Sequence, residues 1–357
     1  MGKKIVFLAP YPKGQAPSQR FRFEQYFSLL EEEGYSIEFH AFLSDKTWNA
    51  LYKKGSFFAK AIGIMGSFWR RFILLFKLGK ADFIFIHREA SMIGPPIFEW
   101  IIAKVLRKKY IFDFDDAIWL PNYSDSNARF HRLKAYGKIK KIIKWAGTVS
   151  AGNNYLKTYA QQFNKNVVII PTTIDLKKVH NKLADHTILP VNIVWTGTHT
   201  TMRYLDNFIP LLRKLEKNHS FTFTIISNQK PEFDLSSLRF IKWDKESEIS
   251  DLAKSGIGVM PMEENKWSEG KCAFKGLQYM ALGIPAILSP VGMNNEIIKD
   301  GLNGFLCSTN EEWEKRIVEL LEDSSLRTKM GLEGRNTVQE KYSVEANSSN
   351  YLNLFKL

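Results

Sequence analysis

The sequence predicts an α/β protein made of two doubly wound domains, each with a parallel sheet covered by helices on both faces. Short β-branched and aromatic runs alternate with helical stretches along the chain, which is typical of parallel sheets with buried strands. The alternation pauses over residues 172–190 and then starts again. The length of 357 residues suits one large or two medium domains, and the restart favours two.

Each round of the pattern contains six candidate strands. In the first round they are residues 4–9, 36–42, 82–88, 110–116, 147–152 and 167–171. In the second round they are residues 191–197, 221–227, 239–243, 256–261, 285–290 and 304–308. We expect an N-terminal domain over residues 1–175, a C-terminal domain over 186–342, and a last helix, 343–357, that can pack back on the first domain. Ligands of open parallel sheets bind beyond the carboxyl ends of the strands, so two facing domains would enclose a cleft.

The positive charge is concentrated in the first half of the chain. Residues 1–175 hold 27 Lys and Arg against 14 Asp and Glu, whereas the remainder holds 23 of each. From Lys46 to Lys80 there are eight basic residues and no acidic one. Such patches attract nucleic acid or an anionic membrane. No nucleic-acid recognition motif is present, and we therefore expect no nucleic-acid partner.

Residues 56–78, SFFAKAIGIMGSFWRRFILLFKL, form a second notable segment. Four cations interrupt its apolar residues, which argues against a membrane-spanning helix. An interfacial helix fits these residue types, and so does a helix packed on its own sheet with a basic outer face. Two cysteines, Cys272 and Cys307, fit a reducing compartment, and the apolar N-terminal run is too short for a secretory signal.

The stretch EGKCAFKGLQYMALGIPAILSPVG, residues 269–292, combines a helix with polar residues on one face and a buried strand. A helix starting near Cys272 would present free amides and its positive dipole end to an anion, with Lys271 at that start. Lys275 and Gln278 lie three residues apart on one face, where they can bind a phosphate and a sugar hydroxyl. Gly292 permits close backbone approach. An ordinary helix–strand unit with a surface lysine explains the same pattern, and both readings stay open.

These residues also carry a family resemblance. FKGLQYMALGIPAILSPVGMNNEII, followed by GLNGFL, resembles the C-terminal signature of retaining glycosyltransferases of the GT-B fold, family 4 (glycosyl transferases group 1). IIPTTID, NIVWTGTHTTMRYLD and the stretch from EEWEKRIVELL to QEKYS are similar to other elements of that family. The match is dense in the C-terminal half and loose in the N-terminal half. It implies two Rossmann-like domains of the GT-B type facing across a cleft.

The chain departs from the family pattern at the donor site. The two acidic positions of the signature are occupied by Gly270 and Gln278, although Glu269 adjoins the first. Gly197 matches the first glycine of the second domain, but the arginine that follows it in the family is Thr198 here. Arg203 is the nearest cation that could contact a phosphate. The resemblance therefore implies a donor site that is retained but rebuilt from Gly197, Thr198, Arg203, Lys271, Lys275, Gln278 and Gly292.

The first domain supplies the remaining candidates. Arg20 and Arg22 follow a loop rich in Gly, Pro and Ser, and the resemblance implies a phosphate or acceptor loop there; two surface arginines on a capped helix are the alternative. His87 ends the third strand and would face the cleft, unless it is a buried structural histidine. Asp115 and Asp116 end the fourth strand, where the family often has a His-Asp pair. We expect them to bind acceptor or donor hydroxyls, although one could be a helix cap.

The resemblance implies an enzyme that transfers a sugar from a nucleotide-sugar to a carbohydrate or lipid-linked glycan acceptor with retention of configuration. We expect no cofactor and no metal, because members of the family generally work without one. The basic first domain predicts a cytoplasmic protein held peripherally on the anionic inner face of the cell membrane, near a polyprenyl-diphosphate-linked glycan. Two alternatives remain: a sugar-nucleotide epimerase of the same fold, and a non-catalytic nucleotide-sugar-binding protein.

Overall fold

The computed structural model describes residues 2–51, 55, 57–121 and 131–356, and the chain divides into two compact units. Unit 1 comprises residues 1–172 together with 347–357, and unit 2 comprises residues 173–346. Each unit is built around one six-stranded sheet whose neighbouring strands all run parallel. The chain therefore leaves unit 1 once and returns to it with its last residues.

The sheet of unit 1 has the strand order β2-β1-β3-β4-β5-β6. Its strands are β1 (Lys4–Ala9), β2 (Ser36–Ala41), β3 (Phe83–His87), β4 (Ile111–Phe114), β5 (Thr148–Ala151) and β6 (Val167–Ile169). β-Branched and aromatic residues fill β1, β3 and β4, which are almost wholly buried because helices cover both faces of the sheet. The carboxyl ends of β1, β3 and β4 are neighbours at one edge of this sheet.

The α-helices of unit 1 connect these strands. They are α1 (Pro17–Arg20), α2 (Phe27–Glu32), α3 (Asp45–Leu51), α4 (Phe57–Leu78), α5 (Ile97–Trp100), α6 (Lys138–Trp145) and α7 (Asn154–Gln161). Glu24–Tyr26 and His131–Lys134 form 3-10 turns, and Ile101–Val105 continues α5 as a π-helix. The 22-residue α4 is the longest of these elements in the part of unit 1 that the structure describes.

The sheet of unit 2 has the order β12-β11-β10-β7-β8-β9. Its strands are β7 (Val191–Gly197), β8 (Phe221–Ser227), β9 (Leu238–Lys242), β10 (Ile257–Met260), β11 (Ala286–Leu288) and β12 (Phe305–Leu306). Its core joins apolar residues of the strands to those of the flanking helices, with Trp195, Phe223 and Ile317 fully buried. The ends of β7, β10 and β11 lie side by side in this sheet.

The α-helices of unit 2 surround this sheet, and the last of them crosses back into unit 1. They are α8 (Ile209–Leu215), α9 (Glu248–Leu252), α10 (Lys266–Glu269), α11 (Phe274–Ala281), α12 (Asn294–Ile297), α13 (Asn310–Glu322), α14 (Ser324–Thr337) and α15 (Val344–Leu352). His199–Leu205 and Asn353–Phe355 are 3-10 helices, and Val338–Tyr342 is a π-helix. The sequence places α13 sharply, because Thr309 and Glu312 form a capping box at its start.

All twelve predicted strands are present, and the predicted α/β fold class is confirmed. Most end one or two residues earlier than the apolar runs suggest. The boundary between the units follows Thr172. Residues 173–185 belong to unit 2, since the Ile174 amide donates to the Tyr342 carbonyl and the Ala184 amide donates to the Leu282 carbonyl, each at 2.8 Å.

Candidate functional site

At the carboxyl edge of the unit 1 sheet, a buried polar network surrounds Asp113, at the third position of β4. Its Oδ2 lies 2.8 Å from Nδ1 of His87, and its Oδ1 accepts from Ser150 Oγ at 2.6 Å. The guanidinium of Arg22 also pairs with Asp113 and donates to the carbonyl of Ile170. Burial acts to raise the pKa of Asp113, but Arg22 and His87 outweigh it and hold that pKa well below its usual range.

This network corrects the sequence prediction for Arg22. It is neither a ligand loop residue nor a surface residue of a capped helix, since its side chain is fully buried and neutralised by Asp113. Arg20 remains partly exposed, with its guanidinium 5.0 Å from the centre of the Phe21 ring. His87 is also fully buried, and its Nε2 has no hydrogen-bond partner among the residues that the structure describes. The structure thus places His87 as the buried histidine that the sequence left as one of two readings.

A second, more accessible layer lies directly after β3 and β4. Arg88 donates from Nε to Oδ1 of Asp115 at 2.8 Å and from a terminal nitrogen to Oδ2 of Asp116 at 2.6 Å. Burial acts to raise the pKa of Asp115, but Arg88, with His87 and Arg22, outweighs it, so that the pKa is lowered. The lowered pKa keeps Asp115 ionised. The pairing with Arg88 fixes both carboxylates in orientation, with 11% and 15% of their side-chain surfaces exposed.

The sequence pointed to His87 and missed its neighbour Arg88. Arg88 adopts a left-handed backbone conformation, with φ of 59°, which non-glycine residues rarely occupy. Such strain clusters at functional sites, because the surrounding structure must hold it in place. The side chains of Tyr11 and Glu89 lie close enough to Arg88 to affect one another's ionisation, and Lys138 Nζ lies 2.8 Å from Glu89 Oε2. Burial raises the pKa of both Tyr11 and Glu89.

In unit 2, the corresponding edge of the sheet is dominated by Lys275 at the start of α11. Its Nζ lies 4.4 Å from the centre of the Trp195 ring, a cation–π distance. Among the described residues, no carboxylate lies within ion-pair distance of Lys275. Burial, together with the nearby charge of Lys271, lowers the pKa of this ammonium to about 7. Lys275 is thus a sheltered cation that the protein itself does not neutralise.

The backbone around Lys275 brings three loops together. Ala273 precedes α11 with a left-handed φ of 51°, and no side chain caps the helix start. Gly292, which follows β11, has a φ of 52°, and a Cβ there would lie 2.8 Å from the carbonyl oxygen of Glu269. Met262, after β10, donates its amide to Ser289 Oγ at 2.9 Å. The loops after β10 and β11 therefore meet at the start of α11.

The loop after β7 contributes the other predicted donor residues. A Cβ on Gly197 would lie 2.6 Å from the Trp195 ring, so glycine allows the indole to sit beneath the loop. Thr198 is exposed and precedes a 3-10 helix, and its Oγ1 lies 2.8 Å from Oγ1 of Thr200. Arg203 is exposed, and its guanidinium lies 5.3 Å from the centre of the Tyr204 ring.

Gln278 is buried, contrary to the hydroxyl-binding role that the sequence suggested. Its amide nitrogen lies 3.4 Å from Glu248 Oε1 and 3.5 Å from His180 Nε2, and only 1% of the residue is exposed. Gly270 ends α10 and is also buried. Sequence reasoning missed Glu248, which stands in no recognisable motif, and Trp195, which lies in the family-like stretch NIVWTG but shows no contact to Lys275 in the sequence. Glu248 is 30 residues from Gln278 in the chain, and only folding brings the two together.

No group of three or more metal-ligating side chains is found within the described part of the chain. Asp115 and Asp116 pair with Arg88.

Comparisons with known proteins agree with this architecture. Residues 193–337, within unit 2, match the family model described as Glycosyl transferases group 1. A glycosyltransferase of Methanocaldococcus jannaschii, itself uncharacterised, is 22% identical over 316 residues, which are 81% of this chain and 78% of that protein. N-acetyl-alpha-D-glucosaminyl L-malate synthase of Bacillus anthracis is 32% identical over 81 residues, covering 22% of this chain and 21% of that enzyme.

Solved structures match almost the whole chain. Sucrose-phosphate synthase of Thermosynechococcus elongatus has a TM-score of 0.72 at 13% identity, covering 99% of this chain and 98% of that one. The catalytic domain of starch synthase IV of Arabidopsis thaliana, bound to ADP and acarbose, has a TM-score of 0.70 at 12% identity and covers 99% of each chain. HepE of Anabaena, bound to UDP and glucose, has a TM-score of 0.65 at 14% identity, covering 99% and 100%.

The fold and the family match together define a glycosyltransferase of the GT-B type. The match to the glycosyl transferases group 1 family lies in unit 2, over residues 193–337, and the likeness to solved structures extends the shared fold to unit 1.

Proposed function

We propose that the enzyme transfers a sugar from a nucleotide-sugar donor to a carbohydrate or lipid-linked glycan acceptor, with retention of configuration, in the biosynthesis of a surface polysaccharide or related glycan. The observation that carries this proposal is Lys275, a sheltered ammonium without a carboxylate partner among the described residues, at the carboxyl edge of the unit 2 sheet. Solved structures similar to this chain hold UDP or ADP, which supports a nucleoside diphosphate as the anion.

Lys275 would bind the diphosphate and stabilise the negative charge that builds on it as the sugar departs. A cation in a desolvated site stabilises charge more strongly than one in water. The uncapped start of α11 and Lys271 would add to the positive potential, and Gly292 would let the phosphate approach the backbone. Arg203, which is exposed, is our candidate for a second phosphate contact.

Asp115 and Asp116 would bind sugar hydroxyls of the acceptor or the donor. Their pairing with Arg88 supports this role, because a carboxylate that is already oriented can accept a hydrogen bond without first losing conformational freedom. His87 would act on Asp115 through its charge rather than contact substrate, since its ring is fully buried.

The rebuilt donor site favours one second candidate, a protein that binds nucleotide-sugars without turning them over. Neither acidic position of the family signature carries a carboxylate, and the side chain that replaces the second, Gln278, is buried. An epimerase of the same fold would instead convert the nucleotide-sugar without an acceptor.

The decisive experiment incubates the protein with a panel of nucleotide-sugars, with and without cell-derived glycan acceptors, and measures nucleotide release. We expect release that depends on acceptor. Nucleotide binding without release would favour the non-catalytic protein, and a changed sugar without acceptor would favour the epimerase. Chelation of divalent metal should leave the activity intact, in keeping with the expectation that no cofactor is needed.

Substitutions in unit 1 test the proposed role of the acids. Asp115→Asn and Asp116→Asn should each lower turnover about 10- to 150-fold, the range expected for losing one charge-assisted hydrogen bond to a sugar hydroxyl. Asp234→Asn, an exposed carboxylate of unit 2, is the matched control. Full activity in both unit 1 variants would make these acids structural partners of Arg88 only.

A further inference from the structure

The outer face of α4 carries more exposed large apolar side chains than any other helix or strand in the described chain. The exposed large apolar side chains of this helix are Phe58, Ile62, Met65, Trp69, Phe72, Ile73 and Phe76. They recur at spacings of three, four and seven residues, so they form one stripe along the helix. Trp69 is 64% exposed and Phe76 is 77% exposed. A contiguous exposed apolar patch of this kind marks a surface that interacts with another molecule or with a membrane.

The opposite face of α4 fixes the helix on unit 1. Leu74, Leu75 and Leu78 are buried there. Arg71 is also buried and donates to the carbonyls of Ala9, His40 and Ala90 at 3.0–3.2 Å. Arg71 is one of the four cations that the sequence places in residues 56–78, where an interfacial helix would turn them toward a membrane. The structure corrects this for Arg71, because its charge serves to attach α4 to the ends of β1 and β2 and to the residues after β3. The stripe is therefore held outward by the fold.

Cations flank the stripe. α4 contains no acidic residue, and Arg70 and Lys77, seven residues apart, lie on one flank of it, with Lys80 just beyond its end. Arg70 donates to the Phe42 carbonyl and to Ser67 Oγ, each at 3.0 Å, so its position is fixed. An amphipathic helix with aromatic residues on one face and cations beside them is typical of binding at a lipid interface.

The neighbouring helix α5 repeats this combination. Phe98 packs on Phe68 of α4, with ring centres 5.9 Å apart. α5 and its π-helical extension expose Ile97, Trp100 and Val105, and the exposed cations Lys104 and Arg107 belong to the same segment. Ten of the 17 exposed large apolar side chains in the described chain thus come from two adjacent elements of unit 1.

We propose that unit 1 docks on an anionic lipid surface through the outer face of α4, with the exposed residues of α5 beside it. The helix would lie in the plane of the interface, because no helix among the described residues is long and apolar enough to cross a membrane. A second copy of the chain fits this face less well. A symmetric pairing of α4 with α4 would bring Arg70 and Lys77 of both copies together with no acid on the helix to neutralise them.

The docking surface does not depend on the donor chemistry, and it is tested on the whole chain by co-sedimentation with vesicles. Two double variants are compared with the wild type. One combines Trp69→Ser with Phe76→Ser and tests the apolar stripe, and the other combines Lys77→Glu with Lys80→Glu and tests the positive charge. Each pair should weaken binding to phosphatidylglycerol-containing vesicles more than about tenfold, and binding of the wild type should fall as salt rises. Neutral phosphatidylcholine vesicles should bind less of the wild-type protein than the anionic vesicles do.

Matched pairs on unit 2 control for general effects. Leu189→Ser with Leu332→Ser removes exposed apolar side chains, and Lys217→Glu with Lys329→Glu makes the same change in charge. Both controls should bind vesicles as the wild type does. Equal binding to neutral and anionic vesicles, or to neither, would overturn the proposal. So would a dimer in solution that the Trp69 and Phe76 changes dissociate while vesicle binding is absent, since the stripe would then serve a second copy.

Discussion

At the residue scale, two sheltered cations show how differently the chain treats positive charge. Arg22 in unit 1 is neutralised by Asp113, whereas Lys275 in unit 2 contacts the face of Trp195 and has no carboxylate partner among the described residues. Lys275 is partly exposed, and a partly desolvated charge without a counter-ion has a cost that a bound anion would remove. Arg22 therefore stabilises the fold, and Lys275 is the better candidate for binding.

We predict that Lys275→Ala weakens the binding of a nucleoside diphosphate by about 1.5–3 kcal/mol, the range for a hydrogen bond to a charged group. The protonated lysine is the form that attracts phosphate, and its pKa in the free protein is about 7. Wild-type affinity should therefore fall as pH rises from 6 to 8. Calorimetry with a panel of nucleoside diphosphates measures both effects.

The phosphate also titrates in this pH range, so the pH dependence of affinity is measured for both the wild type and Lys275→Ala. The variant should keep the part that comes from the phosphate and lose the part that comes from the lysine. Lys217→Ala, an exposed lysine of unit 2, should bind as the wild type does. Unchanged affinity in Lys275→Ala would exclude this lysine from the donor site.

The Asp113 network makes a separate prediction about stability. Asp113→Asn leaves Arg22 buried without its counter-ion, which costs about 3–5 kcal/mol. The folded state lowers the pKa of Asp113 below its unfolded value. The resulting stabilisation is fully present above the ordinary carboxyl pKa, declines as pH falls below that value and is lost as pH falls through the lowered pKa of the folded state. Denaturant unfolding at pH 7 and at low pH measures the free energy of unfolding of both proteins. The difference between wild type and variant should be smaller at low pH.

A surface ion pair gives the matched control for Asp113. Glu38 pairs with Lys4 at 3.0 Å on exposed β2, and Glu38→Gln should cost less than about 1 kcal/mol. Equal losses in the two variants would mean that the buried network adds no more than a surface pair.

At the scale of the element, the start of α11 depends on a close approach between two loops. The Gly292 backbone sits against Glu269 in a left-handed conformation, directly beside the segment that carries Lys271 and Lys275. A side chain at this position would push the loop after β11 away from the end of α10. The geometry of the candidate diphosphate site therefore rests on a residue without a side chain.

We predict that Gly292→Ala lowers both stability, by about 1–3 kcal/mol, and nucleotide affinity. Gly301→Ala is the matched control, because Gly301 also has a left-handed φ, 76°, but no atom lies within 4 Å of the added Cβ. Gly301→Ala should lower stability but leave nucleotide affinity unchanged. If both variants keep the affinity of the wild type, as thermal shift with nucleotide would show, the loop does not shape the site.

At the scale of the whole molecule, the last residues belong to the first unit. The Tyr351 ring stacks on Tyr26 with centres 3.9 Å apart, and Phe355 packs against Phe83 and Phe85. The Tyr35 hydroxyl donates to the Phe355 carbonyl at 3.2 Å. Unit 1 thus completes its core with residues that follow unit 2 in the chain.

We predict that Tyr351→Ala destabilises unit 1 by about 3–5 kcal/mol, as for other large buried aromatic side chains. Tyr351→Phe should be close to neutral, because the buried Tyr351 hydroxyl has no hydrogen-bond partner among the described residues. Calorimetric unfolding should show an earlier transition for the alanine variant only. A downward shift in Tyr351→Phe as large as in Tyr351→Ala would contradict a packing role for the ring.

The sequence by itself determined the two-unit α/β architecture, because alternating apolar strands and amphipathic helices report local periodicity and burial. It also located the segment around Lys275 and the apolar, basic helix near residues 57–78, since short motifs and charge runs are local. Only the tertiary structure decided which side chains face inward. Arg22, Arg71 and Gln278 look like ligand-binding or surface residues in the sequence, yet all three are buried. Their partners lie 19 to 148 residues away in the chain, and no local pattern encodes a contact over that distance.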